Sequence, residues 1–110
     1  MTVTNIKNLP AGKYFTEVYF SEQRPWKELK RTRTTVTLAA VYVDRDPAFE
    51  PHMIPGGFCG HCDNQQDQTW LFREISPIEH LTIRMTNTGW KYKGQKFFED
   101  KATYFMDWNF

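Results

Sequence analysis

The stretch RTRTTVTLAAVYVD, residues 31–44, decides the fold because it is rich in the β-branched residues that favour strands. Side chains of a strand alternate between its two faces. One face carries Val36, Leu38, Ala40 and Tyr42, and the other carries Thr35, Thr37, Ala39, Val41 and Val43. Near its end the segment is apolar on both faces. It therefore predicts a long strand inside a sandwich, or in a sheet with something packed over each side.

The segments around this strand favour further strands and turns. Residues 12–20, GKYFTEVYF, are aromatic and β-branched and predict a first strand. Residues 21–31, SEQRPWKELKR, predict one or two helical turns capped by Ser21, with Pro25 near the first turn. After residue 68, SPIEHL at 76–81 predicts a short turn or helix. Breaks at Thr88-Gly89, Lys93-Gly94 and Glu99-Asp100 predict consecutive hairpins.

The last segment alternates in a way that predicts a core face. Its apolar residues at every second position are Ala102, Tyr104, Met106, Trp108 and Phe110. We expect the core to contain Leu38, Ala40, Tyr104, Met106 and Trp108. The fold class is mainly β, either all-β or β-rich α+β. Residues 1–110 are expected to form a single domain, a small antiparallel sheet, barrel or sandwich with a long central loop.

Composition and charge restrict the function classes. The chain of 110 residues is 40% hydrophobic and 16% aromatic, which is typical of a folded domain. Fourteen Lys and Arg residues stand against 13 Asp and Glu residues, so charge gives no case for wholesale wrapping of nucleic acid. The sequence shows no signal peptide and no membrane span, and we expect a cytoplasmic protein without a membrane partner.

Residues 45–68, RDPAFEPHMIPGGFCGHCDNQQDQ, are expected to form an irregular Gly/Pro-rich loop, since they include three prolines and three glycines. Loops of this length within a small domain are usually functional or disordered. The loop contains both cysteines of the chain, in the motif CGHC. A metal or a partner would explain its length.

Zinc is the metal that this motif favours. A Cys-x-x-Cys turn directs two thiolates at one ion, and sulfur and imidazole ligands select zinc. The candidate ligands are Cys59, Cys62, His52 and His80. A second Cys-x-x-Cys pair is absent, so the histidines would have to complete the site. Two reduced cysteines in a plain Gly-rich turn are the alternative.

The same four residues, Cys59-Gly60-His61-Cys62, resemble the redox motif of the protein disulfide isomerase and thioredoxin superfamily. The resemblance implies a thiolate stabilised by a histidine and by a helix N-terminus within a βαβ unit. It covers only these four residues. Pro55-Gly56-Gly57 precedes the motif and a polar segment follows it, without the apolar spacing of a helix.

Two clusters of basic and aromatic residues form a candidate partner-binding surface. Its residues are Arg24, Trp26, Lys30, Arg31, Trp90, Lys91 and Lys93. On a shared sheet face the cations could track phosphates while tryptophans stack on bases, as in small barrels that bind single strands. Alternation also permits a different interpretation, in which Trp90 and Tyr92 face inward while Lys91 and Lys93 face solvent.

These observations favour a binding function over catalysis. The chain lacks a Gly-rich phosphate loop and the GxSxG nucleophile elbow, and no catalytic residues are predicted. We expect a small non-catalytic binding module, an adaptor or inhibitor, that docks a protein or a single-stranded nucleic acid through its loop and an aromatic-basic surface. A zinc-binding or thiol-redox domain using Cys59 and Cys62 is the alternative, and homo-oligomerisation stays open.

Overall fold

Strands make up most of the computed structural model, which describes residues 4–7, 9–19, 22–50, 52–54, 61–62, 64, 67–99 and 102–106. These residues form β1 (Thr4–Lys7), β2 (Tyr14–Val18), β3 (Glu22–Arg31), β4 (Thr35–Arg45), β5 (Met53–Ile54), β6 (His61–Cys62), β7 (Trp70–Thr86), β8 (Gly89–Tyr92), β9 (Gln95–Glu99) and β10 (Thr103–Met106). Within the described ranges there is no α-helix and no helix that could span a bilayer. The predicted mainly β, small single-domain fold is confirmed.

Six antiparallel pairings close into a ring. β2 pairs with β3 and β9, β4 pairs with β3 and β7, and β8 pairs with β7 and β9. Every strand of the ring thus has two neighbours, which defines a six-stranded meander barrel without free edges. Two short strands extend it: β10 pairs with the start of β3, and β1 lies between β10 and the start of β7. The β1–β7 pairing is parallel.

The barrel core receives apolar side chains from all six strands. Its members are Phe15, Trp26, Val36, Leu38, Ala40, Ile83, Trp90 and Phe97. Two edge-on aromatic contacts cross it, between Phe15 and Trp90 at 6.0 Å and between Trp26 and Phe97 at 6.1 Å between ring centroids. Such edge-to-face pairs add to the stabilisation from burial. The barrel interior is therefore a packed aromatic core.

β4 confirms the prediction from residues 31–44. Val36, Leu38 and Ala40 belong to the barrel core, and Ala39 and Val41 on the opposite face are also buried. Leu38 and Ala40 were both expected in the core. Two of the three predicted hairpins are present: β7–β8 turns at Asn87-Thr88, one residue before the predicted break at Thr88-Gly89, and β8–β9 turns at Lys93-Gly94 as predicted. The hairpin predicted at Glu99-Asp100 is wrong, because β9 pairs with β2 and β8 whereas β10 pairs with β1 and β3. Positive φ at both Lys93 and Gly94 matches the primed turns that suit antiparallel hairpins.

The helical turns predicted for residues 21–31 are wrong, because Glu22–Arg31 is strand β3. Trp26 lies between Phe15 of β2 and Ala40 of β4, and its burial in the barrel core outweighs a weak local helix signal. Pro25 lies where β3 changes partners, between Gln23 opposite β10 and Trp26 opposite β4. A strand tolerates a missing N–H most easily at such an interruption.

The core face predicted for the last strand is also wrong. Thr103 and Phe105 are buried, whereas Ala102, Tyr104 and Met106 are half-buried. Thr103 contacts the Thr16 hydroxyl through both its N–H and its own hydroxyl, which fixes this face against β2. Tyr104 instead packs on Trp70, with 4.3 Å between ring centroids. Trp108 and Phe110 lie outside the described residues.

The segment SPIEHL is a bulge within one long strand, not a separate turn or helix. Ala39 pairs with His80 and Val41 pairs with Ile75, so residues 76–79 of β7 face the single residue Ala40. We call residues 76–79 the β7 bulge. The Ser76 hydroxyl accepts the N–H groups of Ile78 at 3.3 Å and Glu79 at 2.8 Å, which holds the bulge in one conformation.

Candidate functional site

Three cations lie side by side across β7, β8 and β9. Arg84 pairs with Lys91, and Lys91 pairs with Lys96. Side chains directly opposite each other on neighbouring strands share a face, so these three form one row about 10 Å wide. We call Arg84, Lys91 and Lys96 the basic row. Arg84 and Lys96 are exposed, and Lys91 is half-buried.

The face around the basic row contains hydroxyls and further cations. Thr35 of β4 pairs with Arg84 and extends the row by one strand. Two residues further along the sheet, Lys30 pairs with Thr37, and the Thr37 hydroxyl meets the Thr82 hydroxyl at 3.2 Å. Among the described residues, no carboxylate forms an ion pair with any member of the basic row. Within the described part of the chain, its positive charge therefore has no carboxylate in direct contact.

Acidic residues concentrate at the opposite end of the two long strands. β4 starts at Thr35, opposite Arg84, and ends at Arg45, opposite Trp70. Around that second end are Asp44, Asp46, Glu50, Asp67 and Glu74, which we call the acidic end. Two arginines occur there, Arg45 and Arg73, and the Arg73 guanidinium lies 4.0 Å from Asp44 and 3.9 Å from Glu74. The net charge is only +1, but positive charge at the basic row and negative charge at the acidic end are separated along the molecule.

Both tryptophans of the predicted aromatic-basic surface belong to the barrel core. Trp26 donates its indole N–H to Glu17 at 2.9 Å, and Trp90 donates its own to Glu99 at 3.1 Å. Buried rings offer no surface on which a base could stack, so Trp26 and Trp90 are corrected from surface to core residues. The inward direction of Trp90 leaves Lys91 facing out, as the alternation of GWKYKG permits.

Arg31 is engaged within the protein. Its guanidinium contacts Glu28 at 2.8 Å and Glu99 at 2.9 Å and lies 5.5 Å from the Trp90 ring centroid. The hydrogen bond to Glu28, with a second to Glu99, raises the pKa of Arg31. The Trp90 N–H and then Arg31 lower the pKa of Glu99. With two carboxylates in contact, Arg31 contributes little net positive charge to a partner surface.

The remaining predicted contact residues are spread over the barrel. Lys30 is exposed on β3, whereas Arg24 is half-buried. Lys93 is exposed in the β8–β9 turn, where its ammonium lies 5.4 Å from the Tyr92 ring centroid. Of the predicted set, Lys91 alone belongs to the basic row. Sequence reasoning missed Lys96, although the alternation in QKFFE places it opposite in direction to the buried Phe97.

The predicted zinc ligands are brought together only in part. The Asn64 side-chain oxygen accepts the backbone N–H of His52 at 2.7 Å and the Cys62 thiol at 3.2 Å, so it links the backbone at His52 to the Cys62 side chain. His80 lies on β7 opposite Ala39, with its ring nitrogen 3.1 Å from the Ser76 carbonyl oxygen. Cys59 lies outside the described residues. Where the structure describes the chain, no group of three His, Cys, Asp or Glu side chains could hold a metal.

The redox motif does not have the setting that its resemblance implies. His61–Cys62 is strand β6, paired with Met53–Ile54. A thiolate at a helix N-terminus needs a helix that begins at the motif, and strand β6 occupies that place. The predicted central loop therefore contains a short two-stranded ladder. Asn64 also donates to the Glu50 carbonyl at 2.8 Å and fastens this ladder to the chain that follows β4.

Comparison of the chain with protein-family models, with curated proteins and with solved structures finds no match. Position, charge and exposure of the described residues therefore carry the functional assignment.

Proposed function

We propose that this protein is a non-catalytic binding module that holds the phosphate backbone of a nucleic acid on its basic row. The observation that carries the proposal is the direct cross-strand adjacency of Arg84, Lys91 and Lys96, with which no carboxylate of the described residues forms an ion pair. Like charges placed opposite each other on a sheet cost stability. A polyanion bound across the row would relieve that repulsion.

The chemistry of the surrounding face supports a phosphate ligand. Protein contacts to nucleic-acid backbones come mainly from Arg, Lys and hydroxyl side chains. Thr35, Thr37 and Thr82 supply hydroxyls beside the basic row, and Lys30 adds a cation. The acidic end lies away from this face, along the strands, and would orient the molecule with its basic face toward a polyanion.

The test measures binding as a function of salt. Fluorescence anisotropy with a labelled oligothymidylate of about 20 nucleotides covers the site size of a small barrel. Three phosphate contacts predict a slope of log affinity against log salt of about −2, because each contact on a single strand contributes about −0.7. The double variant K91A/K96A should reduce the slope by about 1.4.

The matched control is R45A/R73A, which removes the same two positive charges at the acidic end. It should leave the slope unchanged. An equal reduction of the slope in both double variants would show that only net charge matters and would contradict a role for the basic row. Absence of binding by the wild type at low salt would also refute the proposal.

A further inference from the structure

Phe98 is the exposed aromatic ring next to the basic row. It lies on β9 two residues after Lys96, so both side chains point from the same face. Phe98 is 55% exposed, whereas Phe97 beside it on β9 and Trp90 on β8 are buried. An apolar ring of this size, half in water and beside the three cations of the basic row, is suited to a ligand that combines anionic and flat apolar parts.

The strand on each side of Phe98 leaves its ring accessible. Phe97 pairs with Trp90, and continuing this register by one residue places Gly89 opposite Phe98. Gly89 has no side chain, and a Cβ built there would meet no atom within 4 Å. On the other side Phe98 pairs with Thr16. The Thr16 side chain is small and buried, and its hydroxyl accepts hydrogen bonds from the N–H and the hydroxyl of Thr103. No bulky side chain from either paired position covers the ring.

We infer that the ligand of the basic row is a single-stranded nucleic acid, with one base stacked on Phe98. The inference rests on the proposed function and adds the substrate class. Every base has a flat face that an aromatic ring can stack on, and bases of a single strand can present it. Bases in a duplex are already stacked within the helix. The phosphates on either side of the stacked base would then lie on Lys96 and Lys91.

The test separates stacking from charge with two ligands of equal charge. Anisotropy is measured with the labelled oligothymidylate and with an abasic phosphodiester of the same length. Wild type should bind the oligothymidylate about 5- to 150-fold more tightly, the range that stacking of one base contributes. F98A should abolish this preference, whereas F98W should keep it. I78A, at an isoleucine on the β7 bulge that is 86% exposed, serves as the control and should change neither affinity.

Salt dependence gives the second readout. Stacking releases no counterions, so F98A should lower affinity for the oligothymidylate by the same factor at every salt concentration and leave the slope unchanged. Circular dichroism verifies that F98A and F98W are folded. Equal wild-type affinities for the two ligands, or an unchanged preference in F98A, would overturn the inference. If K91A/K96A still reduced the slope in that case, the proposed function would stand without stacking on Phe98. No binding of either ligand would refute both.

Discussion

At the scale of one residue, Glu17 shows how a buried polar group of the barrel is satisfied by hydrogen bonds. Glu17 is 4% exposed, and its carboxylate accepts the indole N–H of Trp26 at 2.9 Å and the side-chain amide of Gln95 at 3.4 Å. Glu99 accepts the indole N–H of Trp90 in the same way, but its side chain is 38% exposed and also meets Arg31. The two Trp–Glu pairs therefore differ mainly in access to water.

Trp26→Phe should destabilise the protein more than Trp90→Phe. Both variants lose similar indole volume, but Trp26→Phe leaves a buried carboxylate oxygen without its donor, which costs about 1–3 kcal/mol. After Trp90→Phe, water and Arg31 still reach Glu99. Urea unfolding of the two variants measures the difference in free energy of unfolding. Equal losses would mean that the Glu17 carboxylate finds another hydrogen-bond donor.

At the scale of the element, the β7 bulge combines a buried polar group with an exposed tip. Ser76 is 1% exposed, and its hydroxyl lies 3.1 Å from the hydroxyl of Tyr42, which also donates to Glu79 at 3.0 Å. His80, at the end of the bulge, contacts the Ser76 carbonyl oxygen. These bonds order three additional residues within β7, and the strand pairs with β4 on both sides of the bulge.

Ser76→Ala should cost about 1–3 kcal/mol, because the N–H groups of Ile78 and Glu79 lose their shared acceptor. Thr82→Ala is the control on the same strand, since its hydroxyl is exposed and pairs only with Thr37. We expect a loss within about 0.5 kcal/mol for the control. Urea unfolding gives both values, and hydrogen exchange should be faster at the amides of residues 78 and 79 in Ser76→Ala. Equal exchange in wild type and variant would contradict the role of this hydroxyl.

At the scale of the whole molecule, the fold is elongated, with extents of 51 × 29 × 22 Å, and its charge is divided between two regions. β4 and β7 extend from the basic row to the acidic end. Because the three cations of the basic row occupy directly opposite positions, we expect them to repel one another in the folded protein and salt to screen this repulsion. The stability of the protein is therefore linked to the same charges that we propose for binding.

Moderate salt should stabilise the wild-type protein. Raising ionic strength from about 0.01 to 0.15 M shortens the screening length from about 30 to 8 Å, which weakens the repulsion among three adjacent cations. We expect a gain of up to about 1 kcal/mol in free energy of unfolding, and a smaller gain for K91A/K96A. R45A/R73A, which leaves the basic row intact, should keep the gain. Urea unfolding at the two salt concentrations measures this gain in free energy of unfolding. An equal gain in K91A/K96A would exclude the basic row as its source.

The sequence by itself determined two kinds of element: turns set by a few adjacent residues, and strands whose apolar residues occupy both faces. β4 could be predicted as a strand covered on both sides because its β-branched and apolar residues occupy both alternating sets. The turn at Lys93-Gly94 could be predicted, and the turn at Asn87-Thr88 could be predicted to within one residue, because turn chemistry depends on a few adjacent residues. The opposite directions of Trp90 and Lys91 follow from the two-residue period of a strand.

Tertiary structure alone decided which alternating set faces the core and which strands are neighbours. The period of two defines two faces of β10 but does not choose between them, and pairing with β3 and contact with Thr16 place Thr103 and Phe105 inside. Burial of Trp26 between β2 and β4 makes β3 a strand against its local helix signal. The basic row joins residues of three strands through their register. Such register is set when the barrel closes, because cross-strand packing acts between segments distant in the chain and local propensity does not encode it.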